Sequence, residues 1–187
     1  MGYKNAHGEL LINLDSDDEM LPDALKIIWS VWKKIPKQEK TKYREIVAQS
    51  MDEQGARVGE PFPKDINRMP WDKARRACYK SGGEHVGCFV TNVMKENLFP
   101  EPDGVTFMTE NILWRKLDGN YCSYYINDMV QIYHQDGSDH LSSGLSAGHK
   151  KTIQNCKNAL WESTQFLNDW KTYQDGGSYA KELLRYC

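Results

Sequence analysis

No stretch of this chain approaches the ~18 consecutive apolar residues that a membrane-spanning helix needs, so no span is expected. The first residues, Met1-Gly2-Tyr3-Lys4-Asn5, lack an apolar signal core, and any secretion signal is expected to have been removed already. Ala6 stands where a myristoylation site needs Ser or Thr, which leaves no lipid anchor to argue from. The five cysteines (Cys78, Cys88, Cys122, Cys156, Cys187) form neither a CxxC pair nor the Cys/His spacing of a zinc site. A glycine-rich phosphate loop and a serine nucleophile elbow are missing as well. Net charge is only −2, so the chain as a whole is no electrostatic trap for nucleic acid or membrane.

What is present is an ordinary soluble composition, 40% hydrophobic and 27% charged, in 187 residues that suffice for one domain with its own core. Six Trp, ten Tyr and five Phe supply large buried areas; most are expected to fill the core, and some to line a pocket. An odd cysteine count suits buried cytosolic thiols and a secreted chain with two bridges equally, so it leaves the compartment open.

Spacing of the apolar residues predicts helices along the whole chain. A polar N-terminal arm, residues 1–18, ends in the acidic cluster around Asp15 to Glu19, which suits the positive end of a helix. Leu21, Ala24, Leu25, Ile28, Val31, Trp32 and Ile35 then recur at three and four, and Pro36 ends the run. Further helices are expected over Gln38–Asp52 and Lys64–Lys80, the latter divided by Pro70 with a firmer piece from Trp71. Others follow over Glu84–Leu98, Thr106–Leu117, Tyr121–Tyr133, His149–Tyr173 and Tyr179–Cys187, with a polar loop at 134–148. The expected fold is all-α: residues 19–187 as a single compact bundle of about six to nine helices, open to disulfide linkage.

The stretch from Cys88 to Gly104 carries a resemblance. An apolar segment bearing a cysteine is stopped by proline and released through Asp103-Gly104, and Cys156 and Cys187 lie on two later helical patterns. This layout resembles the insect odorant-binding proteins and their extended salivary relatives in blood-feeding flies. Asn92 and Ser178 stand where that family has cysteines, and Cys78 and Cys122 are additions. The resemblance implies an extracellular, non-enzymatic protein with a Cys156–Cys187 disulfide, enclosing a small hydrophobic or amphipathic ligand in a hydrophobic pocket. Candidate walls are Trp29, Trp32, Phe89, Val90, Met94, Phe107, Met108, Tyr125, Met129 and Tyr133, each on or beside an apolar helical face.

Other constellations read more plainly. His134, Asp136, Asp139 and His140 lack a fixed metal-ligand spacing and suit a solvated loop, so no metal or cofactor is expected. His85 and Cys88, three apart, would share a helix face but have no orienting third group, and no catalytic residue is assigned. The remaining signal is basic. Lys33, Lys34, Lys37, Lys40, Lys42 and Arg44 form one group; Lys73, Arg75, Arg76 and Lys80 form another, beside Trp71 and Tyr79. Such runs are more often solvated helix faces, and nucleic acid ranks behind a small ligand or a protein as partner. The alternative reading is a cytosolic or viral interaction protein that uses this basic-aromatic face on a protein or RNA. Oligomeric state has no signal in the sequence.

Overall fold

Three of the segments whose spacing predicts helices contain strands. The computed structural model describes residues 2–105, 108–134 and 153–168. Along these the chain runs α1 (Gly2–Asn5), β1 (Leu10–Ile12), β2 (Glu19–Met20), α2 (Ala24–Lys34), α3 (Lys37–Lys40) and β3 (Tyr43–Met51). A 3-10 turn (Ile66–Arg68), α4 (Trp71–Ser81), β4 (His85–Val90), α5 (Thr91–Glu96), α6 (Asn111–Asp118), β5 (Cys122–Ile132) and α7 (Ile153–Asn168) follow. The strands make one curled, half-barrel sheet in the order β1-β4-β3-β5-β2. Pairing is parallel between β3 and β5 and antiparallel elsewhere. The all-α expectation is therefore corrected to α/β.

The physical reason lies in how deeply the sheet is covered. Glu45 to Ser50 are buried without interruption, because β3 has a strand on each side and a helix over each face. A strand buried on both faces shows no apolar–polar alternation, and its short apolar run cannot be told from a helix by spacing. On one face Ala24, Ile28 and Trp32 of α2 pack with Ile35 over Ile46, Ala48, Val86, Cys88, Ile126 and Val130. On the other, Phe62, Ile66 and Ala74 cover Val47 and Tyr125. Neighbours along β3 thus point to different cores.

The described residues fall into two compact units, one holding α1 to α5 with the five strands, the other holding α6 and α7. In the second unit Phe99 meets Trp114 edge to face, their ring centroids 6.2 Å apart. The expected polar arm contains β1, whose Leu10 and Ile12 pack against the α2-side core.

Two devices seat α4 on the sheet. Gly59 and Gly83 both have positive φ, 94° and 79°, and a Cβ on either would run into the backbone of the opposite loop. This close crossing is tied by the Glu60 N–H, which donates to the Ser81 carbonyl at 2.7 Å. Asn67 supplies the second device: its amide donates to the Tyr125 carbonyl and accepts from the Tyr125 N–H, each at 2.8 Å. That side chain does for Tyr125 what a neighbouring strand would do.

The cysteine expectations are corrected too. Cys78, Cys88 and Cys122 are free thiols, and no cysteines among the described residues lie at disulfide distance. Cys187 and the Cys156 side chain, the expected pair, lie outside the described residues, as do the loop residues 135–152 and the last expected helix. Among the described residues no helix is long and apolar enough to cross a membrane.

Candidate functional site

Helix α4 begins where Pro70 pre-sets the chain, so that Trp71 opens the first turn. Its buried side carries Ala74 and Ser81, with Ala77 and Cys78 packed against the core beneath. There the helix meets a chain of polar groups. The Arg44 Nε donates to Glu45 Oε1 at 2.8 Å, and the Ser123 hydroxyl donates to the same oxygen at 2.6 Å. Tyr125 and Cys78 pack together beside this pair, near enough for the Glu45 charge to act on both. A register shift between Tyr43 and Glu45 breaks the strand's alternation and lets Arg44 and Glu45, adjacent in sequence, meet. Gly87 keeps the space open: a Cβ there would lie 2.6 Å from the Phe89 ring and 3.1 Å from Glu45 Oε2.

Burial pushes the Cys78 thiol up to about 11, and it raises the Tyr125 phenol as well. Both groups stay protonated at neutral pH, and a thiol attacks only as thiolate. The network lies between α4 and the sheet. Cys88, buried on the opposite face, is pushed up to about 12 by the same cause. His85 and Cys88 do not share a face. They lie on strand β4, where three residues of separation place them on opposite sides: His85 stacks on Phe62 at 4.9 Å, and Cys88 faces α2. Burial lowers the His85 pKa, which keeps its ring neutral.

The outer side of α4 is organised differently. Trp71, Arg75 and Tyr79 follow one another at four-residue intervals and form one stripe. The Arg75 guanidinium lies 5.4 Å from the Tyr79 ring centre and 6.0 Å from that of Trp71, within cation–π reach of both. Tyr79 is 65% exposed. Lys73, Arg76 and Lys80, all exposed, continue around the helix. Residues 64–81 carry six basic side chains against two acidic ones, in a chain whose net charge is −2. The spacing Trp-x-x-x-Arg-x-x-x-Tyr was visible in the sequence; the burial of Glu45 beneath it was not.

The expected wall residues of the sheet-bearing unit do not share one face. Trp32 is buried against the α2-side core and Val90 packs on it, while Phe89 and Tyr125 are buried on the other face of the sheet. Met94 is buried on α5, and Trp29 is 43% exposed on the outer side of α2. Met129 and Tyr133 are half-buried along and beyond β5, Met108 belongs to the other unit, and Phe107 lies outside the described residues. Trp29, Trp32 and Met94 do lie on helices, whereas Phe89, Val90, Tyr125 and Met129 lie on strands, which send neighbouring side chains to opposite faces.

At the end of β5, His134 is held by carboxylates. Its Nδ1 bonds the Glu53 carboxylate, its Nε2 lies 3.4 Å from Glu19 Oε1, and its backbone N–H donates to Asp18 Oδ1 at 3.1 Å. The bond to Glu53 is the main cause of a raised pKa, aided by the Glu53 and Glu19 charges and opposed by desolvation. A raised value means the folded chain holds the proton more tightly than the unfolded one. The stabilisation is therefore complete below the ordinary histidine value of about 6.5 and is lost as pH rises through the higher folded value. The thermal midpoint is expected to fall across that window, and the fall to vanish in His134→Asn; an equal fall in both would remove His134 as its cause. Among the described residues no three His, Cys, Asp or Glu side chains group to hold a metal.

No protein-family model, curated protein or solved structure matches the chain. The fold itself is not the helical bundle implied by the odorant-binding resemblance.

Proposed function

We propose that this is a non-enzymatic binding protein whose α4 outer face takes single-stranded nucleic acid. The observation that carries the reading is the Trp71–Arg75–Tyr79 ladder, with a largely exposed tyrosine ring, Arg76 one turn before it and Lys80 next to it in sequence. An exposed aromatic face offers stacking to an unpaired base, and the adjacent cations suit the phosphates on either side of it. Arginine pre-organised by two rings loses little freedom on binding. The packing of Ala74, Ala77 and Cys78 on the core beneath α4 supports the reading, since it presents the ladder on a seated helix. A small ligand would need convergent walls, and in the sheet-bearing unit Trp32 and Tyr125 sit in different cores while Trp29 is exposed. The three free thiols among the described residues suit a reducing compartment, and a cytoplasmic location goes with this reading.

The test is fluorescence anisotropy of a labelled oligouridylate at low salt, with a duplex of matched length as competitor. Tyr79→Ala should weaken binding by about 5- to 150-fold, the worth of one lost stack. Binding by Tyr79→Ala equal to that of the unaltered chain, or equal affinity for the duplex, would overturn the reading.

A further inference from the structure

Helix α2 covers the opposite face of the sheet from α4, and its outer side is unlike a solvated helix face. Ala24, Ile28 and Trp32 point into the core, which accounts for one side of the helix. On the other side Leu25 is 65% exposed and Trp29 43% exposed, one turn apart. Lys33 continues that stripe, Lys26 and Lys34 are exposed nearby, and Lys37 follows at the start of α3. A lone exposed leucine needs no explanation. A leucine and a tryptophan on one stripe, bordered by lysines, form a pattern with a chemistry of its own.

We propose that this face of α2 docks on an anionic phospholipid surface. The charge complementarity is direct: lysines flank the apolar pair, and their long stems let the ammonium groups reach headgroup phosphates while the stem stays in apolar surroundings. Tryptophan, with an apolar body and an N–H at its rim, suits the interfacial layer of a bilayer. The pair stands on the outer side of a helix, so it projects into a soft surface and offers no groove for a peptide. Asp23, the acid at the start of α2, faces Lys26 at 3.6 Å, with both side chains largely exposed; a pair of that kind is weak and yields to a phosphate. This surface lies on the face of the sheet away from the α4 ladder and does not depend on it.

The experiment is flotation of the full chain with vesicles, of phosphatidylcholine alone and of phosphatidylcholine mixed with phosphatidylglycerol. The chain is expected to float with the mixed vesicles and not with the neutral ones, and added salt should release it. Lys33→Glu with Lys34→Glu should lower partitioning about tenfold or more, and Trp29→Ser should lower it by a similar factor. All three positions are exposed or nearly so, and circular dichroism should match that of the unaltered chain. Arg76→Glu with Lys80→Glu, on the other helix, should leave flotation unchanged. Absence of binding to mixed vesicles would overturn the proposal. So would equal binding to neutral vesicles, or loss of binding through the α4 substitutions and not through those on α2.

Discussion

Trp32→Ala is expected to lower the stability of the sheet-bearing unit by about 3–5 kcal/mol, the cost of truncating a buried tryptophan. Trp32 is only 2% exposed and lies in the core that joins α2 to β3, β4 and β5. Its ring also closes a small polar arrangement at the surface. The indole N–H donates to Glu9 Oε1 at 2.7 Å, the Lys40 ammonium lies 4.4 Å over the ring, and Lys40 reaches Glu9 at 3.3 Å. The bond from Trp32 is the main cause that lowers the Glu9 pKa. Trp32→Phe separates the two contributions: it keeps most of the buried area and loses the N–H, and Glu9 is exposed enough to regain water. Its cost is expected to be nearer 1 kcal/mol from the hydrogen bond, plus a small packing loss. Urea unfolding followed by circular dichroism measures both. A cost below 1 kcal/mol for Trp32→Ala would mean that α2 does not anchor this face of the sheet.

The second large effect belongs to the α4 face. Arg76→Glu with Lys80→Glu replaces two exposed cations by anions beside Tyr79 and should weaken oligouridylate binding by about 100-fold or more at low salt. Because both residues are exposed, stability should change by no more than about 0.5 kcal/mol. That separation is the useful part of the prediction. A substitution that unfolded the helix would remove Arg75 and Tyr79 from their stack and abolish binding for a trivial reason. Binding within a factor of two or three of the unaltered chain would place the phosphate contacts elsewhere.

Helix α2 and the start of α4 were legible in the sequence because each has one buried side. Ala24, Ile28, Trp32 and Ile35 keep the helical period, and Pro36 and Pro70 mark boundaries that the structure respects. The sheet was not legible, for reasons that differ from strand to strand. In β3, Tyr43, Ile46, Val47 and Met51 fit a helical face, yet Ile46 and Val47 end in different cores. In the Glu84–Leu98 stretch, a six-residue strand passes directly into α5, so two short periods run together as one long one. In β5, register shifts against β3 spread Val47 to Gln49 over Tyr125 to Met129, which erases the alternation that would have marked a strand. The content of Tyr, Ile and Val in 122–132 was the available β signal. For the candidate site, the aromatic and basic residues of α4 could be named from the sequence. The stacking of Arg75 between two rings depended on knowing that this segment, unlike its neighbours, is a helix with one exposed side.

The central claim is that the α4 face binds an unpaired polyanion by stacking and charge together. Its most direct test is the salt dependence of oligouridylate affinity for the unaltered chain. Three or four phosphate contacts predict a slope of log affinity against log salt of about −2 to −3, with a residual stacking contribution at high salt that Tyr79→Ala removes. No binding at low salt, or an affinity that salt does not change, would contradict it.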